Sequence, residues 1–355
     1  MAGGKFDILS GKEIPGTFIN FESTRQDVVG ISERGITLIP LIGHSYGPAK
    51  TFIQIGSDAP DAAMQLLGYS VYDNTNDNML LIREAFKNSR SVIVYIPSQG
   101  AKAKITQGTL TATAKYGGKR GDDLKFSVTA NPLGGFDVGV YLREQTVSEY
   151  EGLETISDLI GQNNGWIDFA GTGALTAVAG ASLAGGTDGA LVVSDITEYL
   201  DASESIRWNT MAFPLEATGE TDDPVPSLLE AVKTKIKYLR DGAGKYRKAA
   251  VPNFYSDYEG VINVTNSVKL ADRDLTVAQA TAWVAGVDAG ASNTTSNTFV
   301  KYDGAVDIIG IKSNAGAVAA VKKGEFFFSF SEEGDVVVQY DINSLTTFKK
   351  PKDKT

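Results

Sequence analysis

The sequence predicts a mixed α/β (α+β) protein in three parts: an extended N-terminal arm at 1–22, a discontinuous α/β core at 23–98 and 190–355, and a small all-β domain inserted at 99–189. Three observations carry that expectation. Strand-like and helix-like runs alternate on both sides of the insertion, the pattern of an α/β layer. Between them the style changes to short alternating strands parted by Gly-rich turns. Ahead of both, residues 1–16 hold four glycines and a proline without any period.

Along the chain, Thr17 to Phe21 reads as a short strand with apolar residues on both faces and no nearby hairpin partner. Such a strand suits addition to a distant or foreign sheet edge. Ile36 to Ile42 reads as a buried strand. Asp58 is placed to cap a short helix, with Pro60 in its first turn and an end near Gly68. Asn78 to Asn88 is helical, with Leu81, Ile82, Ala85 and Phe86 on one face. Val92 to Ile96 is uninterrupted and apolar, as in a sheet covered on both sides.

Within the insertion, Thr109–Ala114, Leu124–Thr129 and Phe136–Tyr141 read as strands divided by GGKRGDD and NPLGG. The α/β pattern resumes at Ser194, with a strand from Thr210 to Leu215. Ser227 and Glu230 have capping-box spacing, and Leu229, Val232, Ile236 and Leu239 follow at helical spacing up to Asp241-Gly242. Strands are expected at Lys248–Val251, Ile262–Val264 and Asp307–Ile311, and helices at Thr276–Val287 and Asn314–Lys322. Last comes a hairpin. Phe326, Phe327, Phe328 and Phe330 form one strand, 331–335 the turn, and Val336, Val337, Val338 and Tyr340 a second strand running into Asp341-Ile342-Asn343-Ser344-Leu345. Strands so apolar on both faces need cover on both, and at the end of a chain another subunit is the expected cover.

Composition narrows the function. Hydrophobic content of 42% with 21% charged residues is a globular profile, and 355 residues can bury ordinary cores. A net charge of −10 disfavours a dedicated nucleic-acid binder, which needs clustered Lys and Arg. The start lacks a secretory pattern, and no apolar run reaches the roughly 18 residues of a membrane span. Assembly in a cytoplasm is therefore the expectation. With no cysteine and one histidine, zinc has no plausible ligand set.

The catalytic motifs fail on inspection. Gly43-His44-Ser45-Tyr46-Gly47 is a literal G-x-S-x-G after a strand. Pro48 follows instead of a helix, and His44, the sole histidine, adjoins Ser45 and cannot be an independently held base. Gly242-Ala243-Gly244-Lys245 lacks the leading Gly and the trailing Ser/Thr of a P-loop, and Gly171-Thr172-Gly173 lacks the third glycine of a dinucleotide fingerprint. Asp122-Asp123, Asp222-Asp223 and Glu332-Glu333 are expected to be solvated turns, without EF-hand spacing. No catalytic, cofactor or metal residue is assigned. Lys349, Lys350, Lys352 and Lys354 form a basic tail, able to stay solvated or to seat on an acidic partner.

Several motifs together carry a resemblance. They are Pro15-Gly16-Thr17-Phe18-Ile19, Ser32-Glu33-Arg34-Gly35, Tyr46-Gly47-Pro48-Ala49, Leu183-Ala184-Gly185-Gly186-Thr187-Asp188-Gly189, Ala282-Trp283-Val284-Ala285-Gly286, Tyr302-Asp303-Gly304-Ala305 and the closing DINSL. In this order the chain resembles the sheath proteins of contractile phage tails and R-type bacteriocins. The resemblance implies hexameric rings of the chain itself, stacked helically around an inner tail tube protein, with baseplate and terminator proteins at the ends. It implies contraction that drives the tube through a target envelope, assembly in a bacterial cytoplasm and release by lysis. It also implies no nucleic-acid partner and no membrane insertion. By the same resemblance, subunit contacts fall on Thr17, Phe18, Ile19 and Asn20, and on Val338, Tyr340, Asp341, Ile342 and Asn343, while Lys349, Lys350 and Lys352 face the tube. The insertion would project outward. Sheath proteins usually continue past the DINSL strand with a helix and an arm strand, whereas this chain ends at Thr355, so a partner strand for the N-terminal arm is expected to be missing. The alternative reading is a surface-exposed carbohydrate- or protein-binding module of adhesin type, which would stay small in solution.

Overall fold

Burial on both faces explains the first strands of the core. In the computed structural model, which describes residues 35–162, 164–292 and 294–347, β1 (Ile36–Pro40) and β3 (Ser91–Tyr95) are almost wholly buried. Between them lie β2 (Phe52–Gly56), α1 (Ala62–Leu67) and α2 (Asp77–Phe86). The sequence reading passed over β2, whose FIQIG run is short. It lies antiparallel on β3 at the sheet edge. α1 begins four residues after Asp58, with Asp61 at its N-cap and no side-chain cap. Asp58 instead sits in a turn closed by Ala59 N–H on the Gly56 carbonyl. The expected end holds: Gly68 adopts φ +75°, which a glycine does at little cost. α2 is capped by Asn76, whose side chain accepts from the Asn78 and Met79 amides.

The β-rich lobe follows, with β4 (Lys104–Gln107), β5 (Leu110–Ala114), β6 (Leu124–Ala130), β7 (Phe136–Leu142), β8 (Gln145–Leu153), α3 (Ile156–Ile160), β9 (Ile167–Ala170) and β10 (Val178–Ser182). Two sheets, ordered β10-β6-β7-β8 and β4-β5-β9, share one apolar cluster that includes Leu110, Phe126, Val140 and Phe169. The pattern β10 shows, VAGAS, is small and weakly alternating, so only its pairing with β6 marks it as a strand.

The core then resumes through α4 (Val193–Ala202), β11 (Thr210–Ala212), α5 (Val225–Lys237), β12 (Lys248–Pro252), β13 (Val261–Val264), β14 (Ser267–Leu270), α6 (Val277–Gly290), β15 (Ala305–Ile309), α7 (Asn314–Lys322), β16 (Glu325–Phe326), β17 (Phe328–Phe330) and β18 (Val336–Val338). Seven strands form one sheet, ordered β16-β13-β12-β11-β1-β3-β2, parallel except for β2. One face packs on α2 and α6, the other on α4 and α5. α6 is buried nearly all round, including Trp283. That is the place of a central helix in a two-sided α/β sandwich.

Expectations for α5 and for the Phe-rich run differ from the structure. The capping box at Ser227 does not form. α5 starts two residues earlier, behind Pro224, and Ser227 lies inside its first turn. Pro224 is the N-cap, with no side-chain cap, and Asp223 ahead of it accepts from the Val225 amide at 2.9 Å. Pro226, in the first turn, has its φ set for the helix and needs no amide partner, which moves the start upstream. The Phe-rich run is also not one strand. Phe326 belongs to the seven-stranded sheet beside β13, while Phe328 and Phe330 pair with Val338 and Val336.

The cover for this hairpin comes from its own chain. Phe328 meets the stacked rings of Trp283 and Tyr302 edge-on, at 5.5 and 5.4 Å. The outer edge of β18 is occupied by 299–302: Phe299 N–H and Tyr302 N–H donate to Val338 and Val336, and Val338 N–H donates to Val300. The strand stops at Val338, so Asp341 to Leu345 is a loop and not a strand extension.

Candidate subunit-contact site

The G-x-S-x-G loop is a clamp between the core and the β-rich lobe. It joins β1 to β2, and Pro48 leads into no helix. His44 is buried, and its Nε2 lies 2.9 Å from the Leu67 carbonyl oxygen. Burial pushes its pKa down to about 4, against smaller opposing effects of that hydrogen bond and of Asp188. Tyr46 leaves the core and enters the lobe's apolar cluster, stacked on Trp166 at 5.4 Å with its hydroxyl donating to the Trp166 carbonyl at 3.1 Å. The Ser45 hydroxyl is hydrogen-bonded to the Tyr69 side chain.

The glycine and acid motifs have equally local uses. Lys245 N–H donates to the Leu239 carbonyl, and its Nζ to the Glu204 carbonyl at 2.9 Å, so the GAGK segment closes the π-turn after α5. Asp122-Asp123 lies in a short helical turn, with Asp122 exposed and Asp123 half-buried. Asp122 accepts from the Gly186 amide at 2.8 Å, and Asp123 accepts from Arg120 and Arg143 at 2.8 and 3.2 Å. Glu332 and Glu333 do lie exposed in their turn. Among the described residues no group of three or more His, Cys, Asp or Glu is placed to hold a metal, and no helix is long and apolar enough to cross a membrane.

The residues assigned to subunit contact fall in different settings. Thr17, Phe18, Ile19 and Asn20, and likewise Lys349, Lys350 and Lys352, lie outside the described residues. Val338 is fully buried in the chain's own core. Tyr340 is 50% exposed. Asp341, Ile342 and Asn343 are half-buried in a loop fastened from both sides. The Asp341 carboxylate accepts from the Asn297 amide at 2.9 Å, and its amide donates to Thr298 Oγ1 at 3.0 Å. The Ser344 amide donates to the Val261 carbonyl at 2.8 Å, and the Ser344 and Ser256 hydroxyls are hydrogen-bonded. The amides of Thr346 and Thr347 both donate to Asp257, at 2.7 and 2.8 Å, and hold its carboxyl well below the usual range. The DINSL motif and the two threonines after it are thus anchored to the core.

Two surfaces escaped the sequence reading. β2 ends the large sheet with no partner on its outer edge among the described residues. β8 ends the lobe's four-stranded sheet and carries Glu149 and Glu151. Charges and a register shift suit an exposed edge. The period-2 pattern could have found β2; nothing local marks it as an edge.

The comparisons with known proteins cover the described chain almost end to end. Residues 34–95 match the tail sheath protein Gp18 domain III N-terminal region, 98–188 the phage tail sheath protein beta-sandwich domain, and 189–344 the phage tail sheath protein central domain. The phage-like element PBSX protein XkdK of Bacillus subtilis is 38% identical over 383 residues, an alignment covering 100% of this chain and 78% of that protein. The sheath tail protein of Desulfitobacterium hafniense superposes with a TM-score of 0.81 at 39% identity, over 95% of this chain and 77% of that one. That of Listeria innocua gives 0.79 at 37% identity, over 90% and 70%. With this identity and coverage over a matching two-lobed fold, the chain belongs to the phage tail sheath protein family, a structural rather than enzymatic component that self-assembles with other tail parts.

Proposed function

We propose that this protein is the repeating subunit of a contractile tail sheath. Six copies form a ring around an inner tail tube protein, and rings stack helically between baseplate and terminator proteins. On triggering, the bodies slide outward and the rings close up, driving the tube through a target cell envelope. Assembly takes place in the bacterial cytoplasm, before lysis releases the particle.

The observation that supports this reading is the series of three sheath-family matches, at 34–95, 98–188 and 189–344, in chain order. The physical argument agrees with it. A chain whose contacts lie on unlike surfaces joins head to tail, and such contacts generate rings or helices. In this reading the arm at 1–22 adds Thr17 to Asn20 to a neighbour's sheet edge, each backbone hydrogen bond contributing about 1 kcal/mol net. One such link is modest; a lattice of them is very stable.

The test is negative-stain microscopy of the full chain co-expressed with its inner-tube protein, with and without residues 1–20. Striated cylinders from the full chain, and their loss on deletion, are expected. A chain that stays small with its tube partner present overturns the assembly; unchanged cylinders after deletion overturn the role of the arm.

A further inference from the structure

Two stretches join the β-rich lobe to the core: 98–101 going out and 184–190 coming back. Both are rich in glycine and small residues, a composition that normally signals a flexible linker. The geometry is the reverse of flexible. The two stretches run side by side, and a third, 117–119, crosses them from inside the lobe.

Backbone meets backbone at this crossing. A Cβ on Gly100 would collide with the Thr187 carbonyl, one on Gly186 with the Gly118 carbonyl, and one on Gly118 with the Ser45 carbonyl of the core. Gly118 also holds φ +131°, which side chains disfavour. These glycines serve close approach and not mobility. Hydrogen bonds then fasten each strand of the crossing. The Ala101 amide donates to Thr187 Oγ1 at 2.8 Å, and the Thr187 amide donates back to the Ala101 carbonyl at 3.2 Å. The Lys119 amide donates to Asp188 Oδ1, and the Gly186 amide to Asp122 Oδ1, both at 2.8 Å.

Side chains brace the same joint from both directions. Arg120 of the lobe, only 6% exposed, donates from Nε to the Gly68 carbonyl at 2.9 Å and covers the Tyr69 ring of the core at 4.3 Å. Tyr46 of the core enters the lobe in return.

We infer that this crossing is a rigid splice that fixes the angle of the β-rich lobe on the α/β core. A hinge needs a few residues free to change φ and ψ. Here Gly100, Gly186 and Gly189 are walled by neighbouring backbone, and Ala101, Gly186, Thr187 and Asp188 are held by hydrogen bonds, while Gly185 has open space around it. Force applied to the lobe therefore reaches the seven-stranded sheet undamped. The segment 186–188 is the return half of the splice: Gly186 for contact, Thr187 and Asp188 for fastening. The inference concerns the single chain and stands whether or not rings form.

The chain has no cysteine, which makes the test direct. Leu133→Cys on the lobe tip and Val318→Cys on α7, at 97% and 51% exposed positions, place two spin labels on the otherwise intact chain. Labelled chain is diluted into unlabelled chain so that only intramolecular distances register. Double electron–electron resonance should give one narrow distance distribution. Adding Gly118→Ala, or Thr187→Val with Asp188→Ala, should shift and broaden it while circular dichroism stays unchanged. The paired variant removes hydrogen bonds without a clash, so it decides the matter if Gly118→Ala fails to fold. A broad distribution in the parent, or an unchanged narrow one in the folded variants, overturns the splice.

Discussion

Tyr302 and Glu84 are 218 positions apart in the chain, yet the Tyr302 hydroxyl donates to the Glu84 carboxylate at 2.8 Å inside the core. Glu84 is fully buried on α2, with Lys87 Nζ 2.7 Å from the same carboxylate oxygen. The Tyr302 ring stacks on Trp283 of α6 at 4.2 Å. One phenol thus ties α2, α6 and the segment that flanks β18.

Tyr302→Phe keeps the stack and removes the donor. Leaving a buried carboxylate one hydrogen bond short costs about 1–3 kcal/mol. Urea denaturation should show a lower midpoint with an unchanged slope. An unaltered midpoint would mean that Lys87 and Arg83 satisfy Glu84 unaided.

Tyr46→Ala empties the aromatic seat beside Trp166 and leaves a cavity in the lobe. Large-to-small changes of buried aromatics cost about 3–5 kcal/mol. Calorimetry should show a markedly lower transition. Tyr46→Phe, which loses only the hydroxyl contact, should fall by about 1 kcal/mol.

Acid should weaken the fold through His44. Its pKa is lowered from 6.5 to about 4 on folding. Between those values the unfolded chain binds the extra proton, so stability rises with pH there. The contribution is fully present above pH 6.5 and is lost as pH falls toward 4. Its size is about 3 kcal/mol. Urea midpoints should drop from pH 7 to pH 4.5, and His44→Gln should flatten that part of the profile. An equal slope in both chains contradicts the assignment.

Asp257→Asn should loosen the anchor of the tail. The carboxylate takes the amides of Thr346 and Thr347, and its folded pKa lies below the unfolded value. Its contribution is therefore present at neutral pH and lost as pH falls below the usual carboxylate range. Hydrogen exchange at Thr346 and Thr347 should accelerate in the variant while the exchange of β12 and β13 is unaffected.

Charge reversal at Lys349, Lys350 and Lys352 tests the proposed seat on the tube. Co-assembly with the tube protein should weaken and become more sensitive to salt. Sedimentation at two salt concentrations reads both effects, and no change in either removes the tail from the interface.

Much of the fold was legible because burial leaves a local trace. β3 is covered on both faces, and SVIVY is apolar throughout. α2 and α5 are amphipathic, and their stripes name their buried sides. Family membership was legible from ordered motifs, though not what those motifs do. The triplet Phe326, Phe327 and Phe328 reads as one strand, because a strand's side-chain pattern says how it is buried and not which sheet receives it. Ser227 and Glu230 have the spacing of a cap, yet Pro224 starts the helix ahead of them.

What the sequence by itself determined is therefore most of the strands and helices, the presence of a single histidine, and the family. The tertiary structure alone decided which glycines are flexible and which are contacts. Gly118 and Gly186 look like linker residues until Ser45 and Gly118, far away or across a crossing, are seen to leave no room for a Cβ. Local patterns record burial and backbone preference. Close approach is a property of two distant segments at once, and it leaves no mark on either alone.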